Sequence, residues 1–264
     1  MTSIQLDYGY GKFHHHCGGS IINKKYVLTA AHCFNKRGKQ FINSLKLQFG
    51  KIDLSSNVEN VERSVKNVII HPKYDLQHFY YDIALIELNE ELTFSSEVRP
   101  ICLPKAATSN VDSRQNNAAT LIGWGSESKE KSNDPKDLSG RLKQTQVTVF
   151  SQTYCNGSRT GTFGDSTTSY LPDLFLSNLL CAGYEAGIKN SCSGDSGGPL
   201  VVFDSENHRH FQIGVVSGGV CKKIEKPSVY GRLEDFNVLA FIYKNVFNRS
   251  IPSEKCKFMQ SKQF

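Results

Sequence analysis

Short apolar runs alternate along the chain with stretches rich in Gly, Asn, Asp, Ser and Pro. Examples are LKLQFG, VKNVIIHP, DIALIEL, QTQVTVF and FQIGVVSGG, in which Val, Ile and aromatic residues are frequent. Runs of this length and composition are typical of β-strands. Many short strands with frequent turns predict an all-β sandwich or barrel.

A different pattern occurs near the end of the chain, in EDFNVLAFIYKNVF. Its apolar side chains recur with the helical period, so we predict an amphipathic helix over residues 235–247. Residues 248–264 form a polar, lysine-rich tail that contains Cys256. Residues 126–140 are charged and contain Pro135 and Gly140, and residues 156–173 are rich in Gly, Ser and Thr. Both segments are predicted to be long exposed loops.

The chain has 264 residues, of which 39% are hydrophobic, and its formal net charge is +6. This length suits one all-β domain with a sizeable core. The basic residues are scattered, so we expect a solvated basic surface and no nucleic-acid partner. Eight cysteines at wide spacing, without a CxxC pair, predict disulfides made in an oxidising compartment and argue against zinc.

The start of the chain, MTSIQLDYGYGKF, lacks the charged and apolar regions of a signal peptide. No stretch is long enough to span a membrane. Because the cysteines still favour an extracellular protein, we expect the true N-terminus to lie upstream of Met1.

Three short motifs carry residues suited to nucleophilic catalysis: VLTAAHC ends with His32 and Cys33, YDIALIEL contains Asp82, and GDSGGPL contains Ser196. A serine hydroxyl is a poor nucleophile at neutral pH and needs an imidazole to accept its proton. A buried carboxylate can orient that imidazole and stabilise its charged form. In the order His, Asp, Ser, the motifs match a nucleophile with its base and orienting carboxylate.

Together with HCGGSIINKKYVLTAAHC, RPICLP, GWG and CAG, these motifs resemble the trypsin and chymotrypsin family of serine proteases over residues 1–247. The histidine region is similar to the protease domains of arthropod clip-domain enzymes. The resemblance implies two packed six-stranded antiparallel Greek-key β-barrels, at about residues 1–101 and 109–233, followed by the C-terminal helix. It implies a monomeric serine endopeptidase of protein or peptide substrates, without a cofactor.

The resemblance also assigns roles. His32 becomes the general base, Asp82 the orienting carboxylate and Ser196 the nucleophile, while the N–H groups of Gly194 and Ser196 form the oxyanion hole. The implied disulfides are Cys17–Cys33, Cys155–Cys181 and Cys192–Cys221. Two cysteines are left over, and Cys102 joins either an upstream regulatory segment, as often in this family, or Cys256.

Several positions depart from the family pattern. The residues implied to form the specificity pocket are Asn190, Ser191, Ser217, Gly219 and Ser228. Asn190 replaces the aspartate that binds Arg or Lys in trypsin-like members, so we expect no strong preference for these residues. Ser228 replaces a glycine and Gly218 an aromatic residue. These changes fit either ordinary variation in specificity or a non-catalytic homologue that acts as a binding or regulatory module.

The activation of family members exposes an Ile-Val-Gly-Gly start whose ammonium pairs with the aspartate before the serine, here Asp195. The sequence lacks this start, so we expect the protease part of a zymogen or an inactive-like state. Because an uncompensated buried carboxylate is costly, the Asp195 loop is expected to move.

No metal site is expected. The three histidines at residues 14–16 are adjacent in a predicted strand, so they point to opposite faces. Lys51 lies where some family members carry a calcium-binding glutamate, so calcium is not expected either.

Overall fold

The computed structural model describes residues 1–9, 11–34, 39–56, 61–106, 117–126, 138–159, 177–184, 190–218 and 227–250, with only the backbone of residues 39, 40 and 156–159. Within these ranges, the apolar runs form the strands of two closed antiparallel barrels. No helix among the described residues is both long and apolar enough to cross a membrane.

The first barrel closes in the order β1-β2-β3-β6-β5-β4. Alternate side chains of its strands point inward and form an apolar core. Its strands are β1 (Thr2–Asp7), β2 (Phe13–Ile21), β3 (Tyr26–Thr29), β4 (Leu45–Phe49), β5 (Val61–Ile70) and β6 (Ala84–Leu88). Two 3₁₀ helices, Ala31–Phe34 and Lys39–Ser44, connect β3 to β4.

The second barrel closes in the order β10-β11-β12-β9-β8-β7 and has its own apolar core. Its strands are β7 (Ala118–Gly123), β8 (Lys143–Val149), β9 (Leu179–Gly183), β10 (Pro199–Asp204), β11 (Arg209–Gly218) and β12 (Ser228–Arg232). The expected all-β fold with two six-stranded barrels is therefore confirmed.

The C-terminal helix α2 (Phe236–Phe247) starts at the N-cap Asp235, whose carboxylate accepts hydrogen bonds from two backbone N–H groups of the first turn. It ends at Asn248, which adopts a left-handed conformation. Its buried residues Val238, Phe241 and Ile242 join the core of the first barrel. The helix thus forms almost where the apolar pattern predicts it.

A second helix, α1 (Gln152–Arg159), was not predicted by the sequence pattern. Most of the two predicted loops, and residues 251–264 of the predicted tail, lie outside the described residues. The barrels bring three strand ends together: His32 follows β3, Asp82 precedes β6, and Ser196 precedes β10.

Candidate active site

His32 lies in the short 3₁₀ helix after β3 and contacts Asp82 through two hydrogen bonds. Its backbone N–H donates to Oδ1 of Asp82 over 2.8 Å, and its Nδ1 lies 2.7 Å from Oδ2. A carboxylate only accepts hydrogen bonds, so Nδ1 carries the proton and Nε2 of a neutral ring has a free lone pair. This arrangement orients the imidazole and leaves Nε2 able to accept a proton.

Asp82 is fully buried and accepts a third hydrogen bond. The donor is the hydroxyl of Ser217 in β11, whose Oγ lies 2.5 Å from Oδ2. Ser217 comes from the second barrel, so this contact joins both barrels at the His32–Asp82 pair. Three donors satisfy the hydrogen-bonding capacity of this buried side chain.

Ser196 lies in a tight loop between Asp195 and Gly197. Its carbonyl oxygen accepts a hydrogen bond from the Gly18 N–H over 2.7 Å, which ties the loop to the first barrel. Gly197 has φ +77°, and a Cβ atom there would lie 2.1 Å from Oγ1 of Thr29 and 2.5 Å from the carbonyl oxygen of Gly18. Glycine is needed because its φ is left-handed and because a side chain would collide with the first barrel.

The hydroxyl of Ser196 forms no hydrogen bond with His32, and both residues belong to the described part of the chain. In enzymes without substrate, a hydrogen bond between nucleophile and base is often long or poorly aligned. Ser196 is half-buried, while the side chain of His32 is 19% exposed, so both are open to a ligand.

The backbone of the Ser196 loop offers two unused donors. Among the residues that the structure describes, neither the Gly194 N–H nor the Ser196 N–H donates a hydrogen bond. Gly194 has φ +95°, a left-handed conformation that favours glycine. These two N–H groups are the ones to which the family resemblance assigns an oxyanion hole.

His15 in β2 fixes the peptide that follows Gly194. Its Nε2 lies 2.8 Å from the Gly194 carbonyl oxygen, and its Nδ1 lies 2.8 Å from Oγ of Ser3. Burial lowers the pKa of His15 to about 4, so the ring is neutral at pH 7. Nε2 therefore donates to the carbonyl, and Nδ1 accepts from Ser3.

Asp195 is buried and accepts two hydrogen bonds from backbone N–H groups, those of Gly125 (2.8 Å) and Cys192 (2.9 Å). Gly123 and Gly125 contact its carboxylate so closely that neither has room for a side chain. Burial raises the pKa of Asp195 to about 6, and no ion pair involves it among the described residues. The two amides hold the carboxylate in this position, and the movement of its loop stays a prediction.

The predicted specificity pocket is described in part. Ser191 donates to Oγ of the fully buried Ser228 twice, from its N–H and from its hydroxyl, both over 2.8 Å. Oδ1 of Asn190 lies so near Gly183 that a Cβ there would be 2.8 Å away. Gly219 lies outside the described residues.

The structure contains the disulfides Cys17–Cys33 and Cys155–Cys181. Cys192 is also disulfide-bonded, while Cys221 and Cys256 lie outside the described residues. The first bridge joins β2 to the short helix that carries His32, so it holds the histidine beside the barrel.

One group of side chains has the spacing of metal ligands among the described residues: Cys17, His32 and Cys33. Both cysteine sulfurs belong to a disulfide, so they are not thiolates that bind a metal. Of the histidine run, His15 contacts Gly194, and His16 contacts the Cys33 carbonyl over 3.0 Å.

Sequence reasoning missed the roles of His15 and Ser3, and placed Ser217 in the pocket without its bond to Asp82. The sequence separation is 179 positions for His15 and Gly194, 12 for Ser3 and His15, and 135 for Ser217 and Asp82. The run of three histidines in a predicted strand is the one sequence signal that marks His15, and it does not indicate which atoms the ring contacts.

Comparison with known proteins agrees with this architecture. A family model described as trypsin matches residues 1–240. The serine proteinase Stubble of Drosophila melanogaster is 34% identical over 228 residues, which is 84% of this chain and 26% of that protein. Limulus clotting factor C of Carcinoscorpius rotundicauda is 33% identical over 230 residues, or 84% of this chain and 21% of that protein.

The venom serine protease Bi-VSP of Bombus ignitus is 35% identical over 225 residues, which is 83% of this chain and 57% of that protein. The chain thus spans less than two thirds of each of these relatives. The expected resemblance is confirmed, because the matched family covers both barrels and all three motif regions. The chain belongs to the trypsin family of serine proteases.

Proposed function

We propose that the chain is the protease domain of a secreted serine endopeptidase, in which Ser196 attacks the peptide carbonyl and His32 accepts its proton. The observation that carries this proposal is the pair of hydrogen bonds from His32 to the fully buried Asp82. They fix the ring tautomer that leaves Nε2 unprotonated, which is the form that a general base requires.

The reaction follows from these positions. Oγ of Ser196 bonds to the carbonyl carbon as its proton moves to Nε2 of His32. The unused N–H groups of Gly194 and Ser196 stabilise the negative oxygen of the tetrahedral intermediate. His32 then gives its proton to the leaving amine, and water releases the acyl group from Ser196 by the same route.

The protein substrate is selected by a pocket that holds no carboxylate at position 190. Asn190 is neutral, and the Ser228 hydroxyl accepts two hydrogen bonds from Ser191. A neutral amide binds an Arg or Lys side chain more weakly than a carboxylate does. We therefore propose a protease without the strong preference for cleavage after Arg or Lys.

We further propose that an upstream regulatory segment is attached at Cys102. The protein would then be a zymogen that is activated by cleavage. Cys102 is buried, and its carbonyl oxygen accepts a hydrogen bond from the Gln212 N–H over 3.0 Å. Peptide mapping of the secreted protein under non-reducing conditions tests this assignment against a Cys102–Cys256 bond.

A second candidate is a homologue that binds proteins without cleaving them. One observation favours it: the pKa of the buried Asp195 is raised to about 6 by burial, and no cation contacts it among the described residues. In the family that this chain resembles, an ion pair between this carboxylate and the new N-terminal ammonium organises the oxyanion hole. Without such a partner, the fold would persist while turnover is lost.

The test is hydrolysis of an unfolded protein substrate, such as reduced casein, by the mature protein purified from a secreting host. We expect cleavage by the wild type and background cleavage by Ser196→Ala, whose folding is checked by thermal unfolding. Equal cleavage by the variant would show contamination and contradict the proposal, and inactivity of a correctly folded wild type would favour the binding homologue.

A further inference from the structure

Two stretches of the chain have the pattern Asn-X-Ser, in which X is not proline: residues 156–158 and 248–250. In proteins that pass through the secretory pathway, this pattern is the acceptor for N-linked glycans and lies in surface loops. A pattern of three residues also arises by chance, so the surroundings of each asparagine decide which one is a candidate. The two stretches differ in their backbone structure.

The first stretch lies inside a helix. α1 (Gln152–Arg159) contains all three of its residues. Cys155, directly before the stretch, is tied to Cys181 by a disulfide. A helical backbone next to a disulfide is not a surface loop, so the folded protein does not favour this stretch as an acceptor.

The second stretch begins where α2 ends. Asn248 has φ +50°, a left-handed conformation that ends the helix, and its backbone N–H donates to the Tyr243 carbonyl. This hydrogen bond uses the backbone, so it persists when the side-chain nitrogen of Asn248 carries a substituent. Within the part of the chain that the structure describes, no group forms a hydrogen bond with that side chain.

Arg249, the middle residue of this stretch, folds back onto the helix. Its Cζ lies 5.1 Å from the centroid of the Phe247 ring and 5.9 Å from that of Tyr243. Asn248 and Ser250, on either side of it in the chain, are both exposed. The two residues that define the acceptor pattern are therefore accessible in the folded protein.

We propose that Asn248 is a glycosylation site that carries an N-linked glycan at the end of α2. The donor is an oligosaccharide activated as a lipid diphosphate. Nδ2 of Asn248 bonds to the anomeric carbon of its first sugar, the bond from that carbon to the diphosphate oxygen breaks, and Nδ2 loses one proton. The inference rests on the secretion that belongs to the proposed function, and does not depend on cleavage by Ser196.

The glycan restricts what can contact this part of the surface. It is bulky and polar, and it occupies the solvent around the last turn of α2, where Arg249 covers the aromatic pair Tyr243 and Phe247. A protein partner cannot pack closely against a surface that a glycan covers. Protein partners of the mature protein therefore contact faces other than this end of α2.

The experiment uses the protein purified from the medium of a eukaryotic host that secretes it. Peptide-N-glycosidase F removes N-linked glycans and converts each asparagine that carried one to aspartate. Digestion in heavy-oxygen water therefore labels that residue for mass spectrometry. The variants are Ser250→Ala, which destroys the acceptor pattern but keeps Asn248 and its cap, and Ser250→Thr, which keeps the pattern. Ser158→Ala is the matched control, because it makes the same change in the first stretch.

We expect the label on Asn248 in most molecules of the wild type, together with a shift in electrophoretic mobility that the glycosidase reverses. Ser250→Ala should lose the label and migrate faster than the untreated wild type, whereas Ser250→Thr and Ser158→Ala should keep the label on Asn248. Because Ser250 is exposed, thermal unfolding should show that Ser250→Ala is folded. The labelling of the wild type decides the proposal even where a variant is not secreted.

Secreted wild type in which Asn248 is unlabelled, or in which only Asn156 is labelled, would overturn the inference and leave the proposed secreted protease intact. A label on Asn248 that persists in Ser250→Ala would also overturn it, because the label would then not come from a glycan on the acceptor pattern. A wild type that stays in the cytosol of the host would instead remove the proposed secretion, and the glycan with it.

Discussion

Two buried aspartates belong to the candidate active site, and their surroundings differ. Asp82 accepts three hydrogen bonds, of which one comes from the titratable ring of His32 and one from the hydroxyl of Ser217. Asp195 accepts two, and both come from backbone N–H groups. Side chains therefore supply two of the hydrogen bonds to Asp82, whereas the hydrogen bonds that described residues donate to Asp195 come from backbone amides.

The difference separates two parts of the site. The His32–Asp82 pair comes from the first barrel and is joined by the Ser217 hydroxyl of the second. Burial raises the pKa of the Asp195 carboxyl to about 6. If the proposed roles hold, the buried Asp195 carboxylate is the part of the site whose charge is least well matched by its surroundings.

The largest effect is expected at Asp82. Asp82→Asn keeps the size of the side chain but no longer fixes the tautomer of His32, because its amide can donate where the carboxylate only accepts. We expect kcat to fall by about 10⁴-fold at pH 7. Steady-state hydrolysis of a peptide amide measures this, and a loss of less than tenfold would contradict the role given to Asp82.

A third aspartate can be introduced to extend the comparison. Asn190→Asp places a carboxylate where the wild type has a neutral amide, so kcat/KM for an Arg substrate should rise about tenfold relative to a Leu substrate. Competition between peptides that differ only at the residue before the cut measures the ratio. Strong Arg selectivity in the wild type would contradict the specificity proposed here.

A smaller effect concerns stability. The pKa of Asp195 is about 6 in the folded protein against 3.8 as its ordinary value, so the folded state binds the proton more tightly between about pH 4 and 6. The contribution of this carboxyl to stability therefore falls as the pH rises through that window. Relative to Asp195→Asn, the wild type should lose about 1–1.5 kcal/mol between pH 5 and pH 8.

Denaturant unfolding of both proteins at the two pH values measures this difference. His15 acts in the opposite sense, because its lowered pKa of about 4 makes the fold lose stability as the pH falls below its ordinary value of 6.5. It is present in both proteins, so its contribution cancels in the comparison. A pH-independent difference would mean that a cation already pairs with Asp195.

The same comparison shows what sequence could and could not predict. His32, Asp82 and Ser196 each lie in a short motif beside an apolar run, so their residue types and order were visible along the chain. The expected all-β fold and the C-terminal helix follow from local periodicity and are confirmed. The triad roles stay predictions, since geometry alone does not demonstrate turnover.

Other features of the site depend on contacts between residues that are far apart in the sequence. The bond from His15 to Gly194 joins residues 179 positions apart, and the one from Ser217 to Asp82 joins residues 135 apart. The left-handed conformations of Phe79 and Tyr81 contradict their local preference and arise from tertiary packing. No periodicity or composition marks such contacts.

The central claim is that Ser196 is a nucleophile activated by His32 and Asp82. A fluorophosphonate probe, followed by mass spectrometry of the digested mature protein, tests it most directly. The account predicts one adduct, on the peptide that contains Ser196, and its loss in Ser196→Ala with slower labelling in Asp82→Asn. Equal labelling of Ser196→Ala, or no labelling of the folded wild type, would contradict it.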